Sequence, residues 1–127
     1  MNAMPHITVE YSRSVADAFD RPGFAKDLHE ALVTVAGGRA EGCKTRFVPL
    51  DEEYIADGAP HHAMIHAELA LLSGRTPEVK RELTEAALAL LRRHTAPTPA
   101  VGLQFSVDFR DLDTEAYAKY LEPRVAS

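Results

Sequence analysis

The hydrophobic period of this chain switches from two residues to nearly four and back again, and it does so twice. Residues 6–11 set Ile7, Val9 and Tyr11 on one side and His6, Thr8 and Glu10 on the other, the alternation of a strand with one buried face. Asp20-Arg21-Pro22-Gly23 is turn chemistry. From Phe24 the spacing is helical, with Leu28, Ala31, Leu32 and Val35 on the same face and Gly37-Gly38 beyond the end. Residues 43–50 read as a strand with Pro49 near its end. After a loop whose clearest turn is Asp57-Gly58-Ala59-Pro60, residues 62–72 form a long apolar strand. Thr76 is an N-cap, Pro77 suits the first helical position and Glu78 the positive helix end, so a helix runs from there to about His94. Val79, Leu83, Ala86, Ala87, Leu90 and Leu91 form its apolar stripe. Pro97 and Pro99 break the chain before a strictly alternating strand of Val101, Leu103, Phe105, Val107 and Phe109.

Two β-α-β units result, at 5–50 and 61–110, with a short helix expected over 113–121 and residues 1–4 reading as a leader or cloning remnant. A strand–helix–strand crossover implies parallel neighbours and a right-handed connection. The fold class is therefore α/β (α+β): a four-stranded sheet with two helices on one face, in a single domain, as 127 residues allow. The uncovered face is expected to carry part of the apolar rows and to be an assembly surface, giving a homo-oligomer.

Composition narrows the function. A net charge of −5 argues against a general nucleic-acid binder. No apolar run approaches the ~18 residues of a membrane span, and the first residues lack the pattern of a secretory signal, so a cytoplasmic protein is expected. Cys43 stands alone and excludes an internal disulfide.

Pro5 follows a methionine at the head of the first strand. If the chain begins there, its nitrogen is a secondary amine, and α-amino groups titrate near ~8 before perturbation. If residues 1–4 stay attached, that nitrogen is an amide and no base. Lys44 and Arg46, two apart, share a strand face with Phe47 opposite, and Arg75 sits at a helix start where backbone N–H groups favour anions. Such cations lower an amine's pKa and bind carboxylates, although lysines and arginines in these positions are more often simply solvated. His61, His62 and His66 make no metal site: on a strand the first two point to opposite faces, and His62 and His66 lie ~13 Å apart at ~3.3 Å per residue. Lys44 and Arg46 beside Cys43 would lower its thiol pKa, but a lone strand cysteine is more often a small buried residue, and Cys43 reads so.

Taken together, Met4-Pro5-His6-Ile7-x-Val9-Glu10-x-Ser12, Gly42-x-Lys44-x-Arg46, Ala56-Asp57-Gly58 and Gly74-Arg75-Thr76 resemble the 5-carboxymethyl-2-hydroxymuconate Δ-isomerase family of the tautomerase superfamily. With Glu78 and Lys80 the last element is also similar to the early segment of 4-oxalocrotonate tautomerase. The resemblance spans residues 4 to about 120. It implies a trimer of tandem β-α-β subunits, a small-molecule carboxylate substrate, no cofactor and no metal. It also implies Pro5 as general base, with Arg75 and Lys44 gripping substrate carboxylates and some cations acting across a subunit boundary. Lysine stands at position 44 where the family typically has arginine and loses the planar fork; Arg46 is a compensating or structural neighbour. The implied reaction moves a proton on an unsaturated 2-hydroxy di- or tricarboxylate in the homoprotocatechuate route of aromatic catabolism. Two rivals remain: a sister tautomerase, decarboxylase or hydratase on another unsaturated acid, and a non-catalytic trimeric binding protein on the same scaffold.

Overall fold

In the computed structural model, which describes residues 4–99 and 102–123, both units form where the periodicity places them. The elements are β1 (His6–Ser12), α1 (Arg21–Ala36), β2 (Lys44–Leu50), β3 (Ala63–Leu72), α2 (Pro77–Arg93) and β4 (Leu103–Leu112), with short 3₁₀ turns at Arg13–Val15 and Ala40–Gly42. The sheet order is β2-β1-β3-β4. β1 runs parallel to β2 and β3 parallel to β4, while β1 and β3 meet antiparallel at the centre. Val101, expected to begin the last strand, lies outside the described residues.

The helices start and stop for local reasons. Asp20-Arg21-Pro22-Gly23, read as a turn, is the opening of α1. The Asp20 carboxylate accepts the Gly23 N–H and satisfies one of the donors that a helix start leaves free, and Pro22 needs no N–H in the first turn. A side chain at position 23 would run into that carboxylate. Gly37 ends the helix at φ 81°, a conformation that costs other residues. In α2 the Thr76 hydroxyl accepts the Val79 N–H at 3.3 Å, as its N-cap position requires.

Both helices cover the same sheet face. Ile7, Val9, Ile65, Ala67, Leu69 and Leu71 from the two central strands meet Phe24, Leu28 and Leu32 of α1 and Leu83, Ala87 and Leu91 of α2. Each large side chain so buried contributes about 1.5–3 kcal/mol relative to exposure. Phe47 joins this side through edge-on contacts with Phe19 and Phe24.

Two expectations fail. The uncovered face does not carry the alternating apolar rows. The row of β4 also turns to the helices, so the open face is mixed: His6, Thr8, Glu10, Lys44, Arg46, His66, Glu68, Ser106, Asp108 and Arg110 stand beside Val48, Met64, Ala70, Leu72 and Leu112. Nor do residues 113–121 form a helix. Asp113 closes one turn, its carbonyl accepting from Ala116 and Tyr117 and its carboxylate from Glu115, and the chain then runs on without regular structure. Tyr117 alone in that stretch is half-buried, so no apolar stripe docks a helix, and short helices without docking are marginal.

Candidate active site

Pro5 is buried where the chain enters β1, and its carbonyl accepts the Lys44 N–H at 3.1 Å, which continues the β1–β2 ladder. A cavity of about 880 Å³ opens beside it. Its walls come from three segments: Met4 and Pro5; Arg39, Glu41, Gly42 and Lys44; and Tyr117 to Pro123. The middle segment reaches the cavity because Gly37 and Gly38, both at positive φ, turn the chain out of α1 and the 3₁₀ turn folds it back towards β2.

Arg39, Lys44 and Lys119 make the lining basic, against Glu41 and Glu122. The Lys44 ammonium donates to the Gly42 carbonyl at 3.1 Å, which fixes it at the rim and leaves its other protons for a ligand. Lys119 reaches across the entrance to the Met4 thioether at 3.4 Å. The Arg39–Glu41 ion pair is exposed and holds little free energy, so Arg39 is available to an anion.

Behind the cavity, Arg46 Nη2 donates to His6 Nδ1 at 3.1 Å, and His6 Nε2 meets the Tyr117 hydroxyl at 2.7 Å. A guanidinium can only donate, so His6 accepts at Nδ1 and carries its proton on Nε2. Burial, then the charges of Arg46, Lys44, Arg110 and Lys119, hold the His6 pKa below its ordinary value and favour this neutral ring. Arg46 itself faces an adjoining hollow of about 320 Å³, with Glu68 and Arg110, and Tyr117 is the wall the two spaces share.

Of the residues singled out from the sequence, Pro5 and Lys44 thus come together directly and Arg46 stands one residue behind them. Arg75 is placed otherwise. Its guanidinium donates to the carbonyls of Leu72 (2.9 Å) and Ala36 (3.1 Å), tying the end of β3 to the C-terminus of α1, and it is not among the residues lining the cavity. Arg39, Tyr117 and Lys119 join the site without a motif to announce them. The basic spacing of Arg39, Lys44 and Arg46 was a signal for the first; the C-terminal segment offered none.

The histidines away from Pro5 have local partners. His61 and His62 do not point apart, because both precede β3 in a turn, and their rings lie 4.2 Å between centroids. His62 pairs with Asp57 at 2.9 Å and His66 with Ser106 at 2.6 Å. The Cys43 thiol is pushed up by burial, against a smaller opposing effect of Lys44.

A parallel pair of strands in each half, joined antiparallel and backed by two helices, is the tautomerase fold. It superposes on a 5-carboxymethyl-2-hydroxymuconate isomerase from Deinococcus radiodurans R1 with a TM-score of 0.81 at 25% identity, covering 96% of this chain and 92% of that one. It also superposes on a fused 4-OT described as a wild-type symmetric trimer, with a TM-score of 0.69 at 20% identity over 87% of each chain. The family model of 5-carboxymethyl-2-hydroxymuconate isomerase matches residues 5–121, and the chain belongs to that family of isomerases. The 5-carboxymethyl-2-hydroxymuconate Delta-isomerase of Escherichia coli is 28% identical over 93 residues, 73% of this chain and 74% of the relative. Among the described residues, no helix is long and apolar enough to cross a membrane.

Proposed function

We propose that this protein is a cofactor-free isomerase of an unsaturated 2-hydroxy di- or tricarboxylate of the 5-carboxymethyl-2-hydroxymuconate kind, with the amine of Pro5 as general base. The observation that carries the reading is the placement of Pro5 in a cavity rimmed by Arg39, Lys44 and Lys119. Such neighbours disfavour a protonated amine, so a proline nitrogen there is a free base near neutrality. The same charges attract the substrate's carboxylates and stabilise the oxyanion that forms. Pro5 takes the proton of the 2-hydroxyl, the electron pair spreads into a dienolate, and the protonated proline returns the proton to carbon, leaving the conjugated ketone. Arg75 serves this site by holding its frame, and Arg46 by holding His6.

The base exists only in a chain that begins at Pro5. Met4 sits at φ 45°, a conformation that costs a non-glycine residue about 1–2 kcal/mol, so its removal relieves strain as it exposes the amine. The working unit is a homotrimer, a reading favoured by the symmetric trimer of similar fold and by the apolar Val48, Met64, Leu72 and Leu112 on the open sheet face. It acts in the cytoplasm, in the homoprotocatechuate route of aromatic catabolism.

Ultraviolet assays on a panel of dienol acids test the proposal, with chains that begin at Pro5 and at Met1 compared side by side. The chain from Pro5 isomerises 5-carboxymethyl-2-hydroxymuconate and the longer chain does not. Equal activity in both removes the free-amine mechanism. Turnover of phenylpyruvate enol without turnover of the muconate removes the substrate assignment. Light scattering reads the trimer.

A further inference from the structure

Tyr117 is held in a way that the packing of the C-terminal segment does not require. That segment has no regular structure after its single turn, and the residues on either side of Tyr117 are exposed. Yet its hydroxyl is pinned at 2.7 Å by a ring that is itself pinned by a guanidinium at 3.1 Å, and the two rings lie 5.9 Å apart, tilted by 58°. Because His6 donates its Nε2 proton to the phenol oxygen, the phenol's own proton is left over. No acceptor takes it among the described residues, and Tyr117 lines the Pro5 cavity. A hydroxyl whose oxygen already accepts a hydrogen bond is a stronger donor, since the bonds of a chain polarise one another.

We propose that Tyr117 is a substrate-binding residue of the Pro5 cavity: its hydroxyl donates to a carboxylate of the ligand, and His6 and Arg46 are positioning residues that aim and polarise it. This rests on the reading of the cavity as a carboxylate site and adds to its lysines and arginines a neutral donor with a fixed direction. Lys44 and Lys119 are flexible point charges that attract any anion. A phenol held by a ring accepts only a carboxylate whose oxygen falls on its line, so the Arg46–His6–Tyr117 chain selects the spacing between the ligand's acidic groups.

The test uses a saturated dicarboxylate, glutarate, so that binding is read without turnover and whether or not Pro5 is a free amine. Glutarate is titrated against the full chain while backbone amide shifts are followed by NMR, with circular dichroism to verify the fold. Tyr117→Phe keeps the ring and removes the donor; it weakens glutarate binding about tenfold, the worth of one hydrogen bond to a charged group. It weakens acetate, a single carboxylate, by less than threefold. His6→Phe reproduces most of that loss and His6→Gln, which keeps a donor and an acceptor, restores most of it, a pattern that a merely structural His6 would not give. Glutarate affinity unchanged within twofold in Tyr117→Phe overturns the proposal, as does a parent chain that does not bind glutarate. Failure of the isomerase reading is seen separately, as no turnover by the chain from Pro5 while Tyr117→Phe still weakens glutarate.

Discussion

The heads of β1 and β3 occupy corresponding places in the two β-α-β units, and one is open where the other is filled. Pro5 enters β1 opposite the start of β2, and beside it lies a cavity of about 880 Å³ rimmed by cations. His62 enters β3 opposite Gly102 at the start of β4. There the imidazole pairs with Asp57 at 2.9 Å and packs so close to the glycine that a side chain at 102 would stand 3.1 Å from its Nδ1. The first head has a compact ring with no polar side chain and neighbours that are long and charged. The second has a ring that packs against Gly102 and a carboxylate that hydrogen-bonds it. The scaffold is repeated, and the local residues decide which strand head leaves room for a ligand.

That contrast can be broken at several strengths. Acetylating the Pro5 amine, in a chain beginning at residue 5, removes the base and lowers kcat/KM about 10²–10⁴-fold in the ultraviolet assay, the usual worth of a general base, and Pro5→Ala, which keeps a primary amine in place of the ring, loses less. Next, Lys44→Ala lowers kcat/KM about 10–100-fold through the loss of one charged contact to the substrate. His62→Ala, the matching change at the filled head, leaves turnover within threefold and lowers thermal stability instead. Equal effects of the two on turnover would end the distinction. Arg75→Ala destabilises the fold by about 2 kcal/mol, since two carbonyls lose a charged donor, with kcat/KM again within threefold. A large rise in KM with an unchanged melting temperature would instead put Arg75 in the site, across a subunit boundary.

The smallest effect is a pH dependence. Burial and surrounding positive charge lower the His6 pKa, and burial lowers that of His29, from the ordinary 6.5. Below that value the unfolded chain takes up protons that the folded chain resists, so stability falls as pH drops through 6.5 towards the folded pKa values. Melting temperatures at pH 7.5 and pH 5 therefore differ more in the parent than in His6→Gln/His29→Gln. An equal difference in both proteins counts against the assignment.

The fold was legible because each apolar face is written in a period that admits one solution. Ile7, Val9 and Tyr11 must face one way, as must Phe24, Leu28 and Leu32, and together they define the first unit's core. What could not be read was where the apolar row of β4 would turn. Alternation fixes that Phe105, Val107 and Phe109 share a face, and the parallel register with β3 decides that this face meets α2. The site was legible in part for a similar reason. Lys44 and Arg46 share a strand face by parity alone. Arg75 looks like an anion ligand in sequence, and the proximity of the Ala36 carbonyl, thirty-nine positions away, gives it another task. Tyr117 and Lys119 lie in a segment with no period, so only the folded chain brings them to Pro5.

The segments at residues 4–5 and 117–123 meet at one cavity, which bears on how the protein can be handled. A fluorophore or affinity label attached at Met4 or along Tyr117–Pro123 competes with whatever enters there. The loop around Tyr54 and Asp57 projects from the opposite end of the sheet, where Ser12 and Glu53 close β1, and Tyr54 is 80% exposed. Labels for binding measurements, surface immobilisation or display belong on that loop, so that assays of a silent protein are not assays of its own attachments.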